Sequence, residues 1–245
     1  TGELLVAHGM KVELRDARGK ARWSQDVPAL ASASAAALDA DGGAVLVGLK
    51  PVDPFRSQGF IVRLSPAGEV YWEREVGPDA PGFTEVAFRP DGGLLLTGEY
   101  VGTVKWGRQV LEAPCTARGC YRTVLALAAD ANGEPLWGRV LDSEELSGSD
   151  GARLAVDSKG GAAVLWKHHC GSELARLSER GEVLWQSLYV GTPCPGGAFL
   201  RDMAFLPGGD LAGAGMFHGT RAFRGAPGGP LTADETDVFL QRLKP

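Results

Sequence analysis

Besides Gly102 and Trp106, four glycines in this chain are followed, four residues on, by a tryptophan: Gly19 and Trp23, Gly68 and Trp72, Gly133 and Trp137, Gly181 and Trp185. The tryptophans are 49, 65 and 48 residues apart, and self-similarity at such a period constrains the architecture more than any single motif. Before each glycine lies an alternating segment, Val12-Glu-Leu14, Phe60-Ile-Val-Arg-Leu64, Val124-Leu-Ala-Leu127 and Leu174-Ala-Arg-Leu177. Val238-Phe-Leu-Gln-Arg-Leu243 repeats it once more. Alternation interrupted by a short polar turn containing glycine predicts a hairpin.

A second hairpin recurs after each tryptophan, around Asp41-Gly-Gly43, Asp91-Gly-Gly93, Lys159-Gly-Gly161 and Gly208-Gly-Asp210. We label the strands of a unit A to D, the Gly-Gly turn joining A to B and the Gly-x-x-x-Trp turn joining C to D. The chain then reads B-C-D, three full units, and A-B-C, which gives 18 strands in five units. No useful length of helical periodicity interrupts them. A four-stranded antiparallel unit of about 50 residues is what a β-propeller blade requires. The expected fold is therefore all-β, a single β-propeller domain of about five blades across 1–245, whether whole or part of a longer chain. Stacked β-sandwiches are the alternative, but their strands do not recur with identical turns. One tryptophan per unit would fill the wedge between neighbouring sheets, so the four rings are expected to be largely buried on equivalent D strands.

These residues resemble the bacterial β-propeller repeats of SBBP type, found in secreted and lipid-anchored proteins, and the Gly-x-x-x-Trp turn is similar to that of quinoprotein-like blades. The resemblance extends to the B–C connection, where Gly98-Glu-Tyr-Val-Gly-Thr-Val-Lys-Trp106 and Gly215-Met-Phe-His-Gly-Thr-Arg-Ala-Phe223 share glycines, Gly-Thr and aromatic positions. It covers nearly the whole chain and implies architecture rather than a reaction. The family is often seven-bladed, and both terminal units here are a strand short. The implied setting is extracytoplasmic, at a bacterial cell surface, in the periplasm or secreted, with a lipid anchor or larger assembly compatible with it.

Composition agrees. The 35 glycines and 15 prolines follow no collagen-like period and suit many tight turns, while 44% apolar residues suffice for a core. A net charge of −5 leaves no electrostatic footprint for nucleic acid, and no apolar run is long enough for a transmembrane segment. Thr1 reads as a processed or trimmed start. Cys115 and Cys120 bracket a short turn, and Cys170 and Cys194 fall in loops at one end of adjacent units. Two disulfides in an oxidising compartment are the expectation, over free thiols or a metal site. His168, His169 and Cys170 are consecutive, and three adjacent residues of an extended segment point to opposite faces, which suits no zinc site.

Searching for chemistry returns little. Most carboxylates fall in turns, and only Glu85 and Asp202, on A strands, could serve a paired-carboxylate glycosidase. There is no Gly-x-Ser-x-Gly. Asp39-Ala-Asp41 is better explained by a hairpin turn than by calcium. Neither catalytic residues, nor a cofactor, nor a metal are expected. The D–A connections (25–34, 77–83, 142–151, 190–200) and B–C connections (51–58, 99–121, 216–236) are the long ones and leave a blade on the same side. Long loops on a rigid scaffold commonly carry binding. The expected function is a non-enzymatic binding or scaffolding module that takes a protein or surface glycan on this long-loop face. Trp106, Phe217, His218, Phe223, His168 and His169 are the candidate contact residues. A hydrolase or lyase with its site in the axial funnel is the alternative.

Overall fold

The computed structural model describes residues 2–29, 32–78, 81–116, 119–141, 151–168, 171–190, 198–221 and 231–243. They contain strands and turns and no helix. Two compact units divide the chain, Thr1–Leu141 and Asp142–Pro245.

In the first unit, blade 1 is the sheet β1 (Leu4–His8), β2 (Lys11–Arg15), β3 (Ala21–Asp26). Blade 2 is β4 (Ser32–Leu38), β5 (Ala44–Asp53), β6 (Arg56–Leu64), β7 (Val70–Pro78). Blade 3 begins with β8 (Gly82–Phe88) and β9 (Leu94–Tyr100), leaves the pattern for two small hairpins, β10 (Thr103–Trp106) with β11 (Gln109–Glu112) and β12 (Cys115–Thr116) with β13 (Gly119–Cys120), and closes with β14 (Thr123–Ala129) and β15 (Pro135–Leu141). In the second unit, blade 4 is β16 (Arg153–Val156), β17 (Ala162–His168), β18 (Gly171–Leu177), β19 (Val183–Val190), and blade 5 is β20 (Ala198–Phe205), β21 (Leu211–Arg221), β22 (Leu231–Leu243). All the pairings are antiparallel, and those among the blade strands join neighbours in the A-B-C-D order, as the repeat predicts.

Both hairpin turns of a blade are built from one local device. In the A–B turn the Asp39 carboxylate accepts the Asp41 and Gly43 amides at 2.9 and 2.7 Å, and in the C–D turn the Ser65 hydroxyl accepts those of Ala67 and Glu69 at 3.2 and 3.0 Å. Asp16, Asp130, Asp157 and Ser178 do the same in their turns. The side-chain oxygen mimics a turn of backbone, and a left-handed glycine such as Gly42 (φ 87°) completes it.

The central strands are covered on both sides, which is why they read as unbroken apolar runs such as Ala44-Val-Leu-Val47. Leu46, Phe60 and Val62 pack toward blade 1 with Val12 and Val27, whereas Val45, Val47 and Ile61 join Phe83, Leu96 and Leu125 of blade 3. In the second unit Leu165, Leu174, Leu200, Met203 and Leu243 form the corresponding layer.

The four tryptophans stand on D strands at equivalent register, facing Leu14, Arg63, Ala128 and Arg176 of the C strand. Trp137 is buried; Trp23, Trp72 and Trp185 are partly so. Their packing explains the motif's glycine. Trp23 of blade 1 lies over Gly68 in the C–D turn of blade 2, where an added Cβ would stand 2.7 Å from the ring. Trp72 lies over Gly133 of blade 3 in the same way, at 2.9 Å, and donates its indole N–H to Ala131 O at 3.1 Å. Each of these glycines therefore serves the tryptophan of the preceding blade as well as its own turn.

Two expected loops are strand instead. The 51–58 connection is the tip of a long β5–β6 hairpin, because Pro54 and Phe55 make a two-residue turn and the Pro51 position sits at a register shift. The 99–121 connection contains β10 to β13, so the described strands number 22 rather than 18. Its β10–β11 hairpin leaves blade 3 and pairs with the outer strand of blade 2, Val104 opposite Pro78 and Lys105 opposite Gly77.

Candidate binding face

Within one blade, the B–C turn lies at the opposite end from the A–B and C–D turns. In the first unit the Trp23–Gly68 and Trp72–Gly133 contacts bring the C–D ends of blades 1, 2 and 3 together, which gathers their B–C turns at the other end. The two ends differ in chemistry. In the first unit the tight turns themselves show Arg18, Asp41, Asp91 and Asn132 to solvent, while Leu4, Val70, Tyr71 and Leu136 are exposed on the strand ends beside them. The B–C ends expose Met10, Val52, Phe55 and Val101, with Phe55 96% exposed.

The Phe55 tip is held in shape rather than left loose. Asp53 accepts the Phe55 amide at 2.9 Å and the Arg56 Nε at 2.6 Å. These two bonds hold the Asp53 carboxyl below its ordinary range, so the clasp stays ionised. An apolar ring on a fixed turn faces water at a cost that a partner would remove. Sequence reading passed over Phe55 because 51–58 looked like an irregular loop. Its signal was Asp53-Pro-Phe-Arg, a turn whose geometry needs no aromatic.

The sequence-derived contact residues are placed differently. Trp106 is only 2% exposed, and its indole N–H donates to Ala128 O on β14 at 3.0 Å. Phe217, 3% exposed, meets Phe239 edge-on at 6.4 Å between ring centres. Both rings pin extended strands to the scaffold, and neither is presented to a partner. The reason is that the segments carrying them fold back as strands, so their aromatic positions face a neighbouring sheet. His218 is exposed on β21. His168 ends β17, and nothing is described of its side chain; His169 and Phe223 lie outside the described residues.

Cys115 and Cys120 face each other across β12 and β13 and form a disulfide. The Cys170 and Cys194 pairing lies outside the described residues. Glu85 is half-buried on β8 of the first unit, and Asp202, exposed on β20 of the second, accepts the Met203 amide at 2.8 Å. Among the described residues no three His, Cys, Asp or Glu side chains gather closely enough to hold a metal.

Two further lowered carboxylates, Asp39 and Asp157, belong to the scaffold. Burial pushes Asp39 up, but the Arg63 guanidinium and the Gly43 and Asp41 amides outweigh it and hold the group below its ordinary value. Burial acts the same way on Asp157, where the Gly161 and Lys159 amides and Arg176 prevail. Arg63 then stacks at 4.3 Å on Phe88 of blade 3, and Arg176 at 4.7 Å on Phe205 of blade 5. Asp39 and Asp157 are thus clasps joining turn, C strand and next blade.

No protein-family model matches the chain, and no curated protein does. Among solved structures it is similar to hydrazine synthase of Kuenenia stuttgartiensis, with a TM-score of 0.54 and 13% identity over 86% of this chain and 64% of that one. The chain thus spans just under two thirds of that protein's length. BBS1N, solved in complex with ARL6DN, is 15% identical over 86% of this chain and 71% of its own, at a TM-score of 0.38. A protein of unknown function from Bacteroides caccae is 13% identical over 77% and 78%, at 0.33. At these identities the first likeness bears on fold alone, and with the repeated antiparallel sheets it makes the chain a multi-blade β-propeller.

Proposed function

We infer that this propeller is a non-enzymatic binding or scaffolding module working outside the cytoplasm, and that it takes a protein or surface glycan on its B–C face. The observation that carries the reading is the Phe55 tip of the first unit, 96% exposed on a fixed turn, with Met10, Val52 and Val101 also exposed at the B–C ends. The Asp53 clasp prepares the Phe55 ring for contact, which lowers the ordering cost of binding. The Cys115–Cys120 bond suits an oxidising compartment, and the resemblance to secreted and lipid-anchored repeat proteins points the same way. The lowered carboxylates are engaged as scaffold clasps, whereas a general acid needs one raised.

The test places a photo-crosslinking phenylalanine analogue at position 55 or at position 41 and irradiates cells making the protein. A discrete adduct from position 55, absent from position 41 and abolished by adding Met10→Ser, is expected. Adducts from position 41 alone, or none from position 55, would overturn the reading. Phe55→Ser should leave the thermal midpoint unchanged, because the ring makes no packing that unfolding would lose.

A further inference from the structure

The blades protect their outer edges in two ways, and one strand has neither. Strands β3, β7, β15 and β19 each meet their C strand with a register shift beside the tryptophan, at Leu14/Arg15, Arg63/Leu64, Ala128/Ala129 and Arg176/Leu177. Such a bulge twists an edge out of the flat geometry that an incoming strand needs. In the first unit the β10–β11 hairpin adds cover. β10 pairs with β7, and Gln109 Oε1 accepts the Gly138 amide of β15 at 2.6 Å.

β22 of blade 5 lacks both devices. Among the described residues no strand pairs with its outer edge. It runs in register with β21 through eight pairs, from Leu211 and Leu243 to His218 and Thr236, before the shift at His218/Gly219. That stretch, Thr236-Asp-Val-Phe-Leu-Gln-Arg-Leu243, contains no proline, glycine or lysine. Val238 and Leu240 are 74% and 80% exposed on it. The Val238 amide donates to Asp237 Oδ1 at 2.8 Å, an acceptor outside the β21 ladder. Its backbone groups therefore face the open edge, and by the alternation of a ladder so do those of Leu240. A long, regular edge carrying apolar side chains is a template for another strand.

The residues of the edge select that strand. Around Phe239 the pattern reads alike in both directions: two polar residues, Val238-Phe239-Leu240, two polar residues. An antiparallel second copy with its two-fold axis at Phe239 sets Val238 opposite Leu240, Asp237 opposite Gln241 and Thr236 opposite Arg242. The outward backbone groups of Val238 and Leu240 then exchange ladder hydrogen bonds, and their side chains lie on one face about 5 Å apart. Other registers lose this match. A slip of one residue brings opposite faces together. A slip of two sets Val238 against Arg242, or Leu240 against Thr236. The contact is a narrow strip, which suits a weak dimer governed by concentration.

We propose that β22 is a self-association edge, where two copies of this chain pair antiparallel about Phe239 with Val238 of each opposite Leu240 of the other. It draws on the second unit alone and stands whether or not the B–C face of the first unit binds a partner.

The full chain is followed by sedimentation equilibrium over a concentration series, in parallel with amide hydrogen exchange. Dimer should grow with concentration, and the Val238 and Leu240 amides should exchange more slowly as it does. Val238→Lys and Leu240→Glu each alter two cross-strand pairs and should weaken association about tenfold. Both side chains are exposed, so the urea midpoint of the dilute protein should not move. Mixing the two variants tests the register. A heterodimer sets the new lysine opposite the new glutamate and keeps one Val238–Leu240 pair, so the mixture should associate more tightly than either variant alone. A monomer at every concentration, an unweakened dimer in both variants, a mixture no tighter than its components, or amides already protected in the dilute protein would each overturn the proposal.

Discussion

Single positions in this chain carry requirements that hydrophobicity alone would not suggest. Tyr100 is fully buried at the end of β9, and its hydroxyl has no hydrogen-bond partner. Burial, with a smaller contribution from Glu112, raises its phenol from the ordinary value of 10 to about 12. Because the folded value is the higher, the folded state keeps this proton where the unfolded chain releases it. The contribution is therefore complete below pH 10 and is lost as pH climbs from 10 toward about 12. Tyr100→Phe removes the stranded hydroxyl while keeping the ring. It should stabilise the protein by about 1 kcal/mol in urea unfolding at pH 7. The variant should also lose part of the stability decline above pH 10. A destabilised Tyr100→Phe would show that the hydroxyl has a partner in solution.

At the scale of elements, turn and blade are coupled through glycine. Gly19 and Gly133 occupy the same turn position with φ of 80° and 79°, but only Gly133 lies beneath a tryptophan of the preceding blade. Nothing stands within 4 Å of a Cβ built at Gly19. Gly19→Ala should therefore cost about 1–2 kcal/mol, the price of left-handed backbone for an L-residue. Gly133→Ala should cost about 1–2 kcal/mol more, since Trp72 must shift as well. Equal losses at the two sites, measured by chemical denaturation, would mean that the tryptophan yields freely and that the motif's glycine serves the turn alone.

Across the molecule the same clasp recurs in both units. Arg63 and Asp39 in blade 2, and Arg176 and Asp157 in blade 4, tie the A–B turn to the C strand, and each arginine continues onto a phenylalanine of the next blade. Both carboxyls have folded values below the ordinary 3.8, so the unfolded chain takes up protons first as pH falls. Their contribution is complete above that ordinary value and disappears as pH drops through the folded values. Urea midpoints should hold steady from about pH 7 to pH 5 and decline below about pH 4. Asp39→Asn and Asp157→Asn should each start lower and decline less steeply. An unchanged acid slope in both variants would remove the clasps from the account.

The hairpins were legible in the sequence because their causes are local. An Asp or Ser that caps its own turn, a glycine two or three residues later and alternating apolar positions act within a dozen residues, and they specify strand order and blade identity together. Placement of Trp106 and Phe217 was not local. Whether an aromatic in a connection faces water or a sheet depends on where that connection docks, and β10 pairs with the outer strand of another blade at Val104 and Pro78. Phe55 was hidden for the converse reason, since a strand extended through Pro51 lifts its tip clear of everything it could pack on. Trp166 lies between these cases. Its departure from the glycine that blades 2, 3 and 5 carry at this register is written in the repeat, but that its indole is buried without a hydrogen-bond partner is decided by packing. Local chemistry determined the blades, and packing between blades decided which of their side chains remain available to anything else.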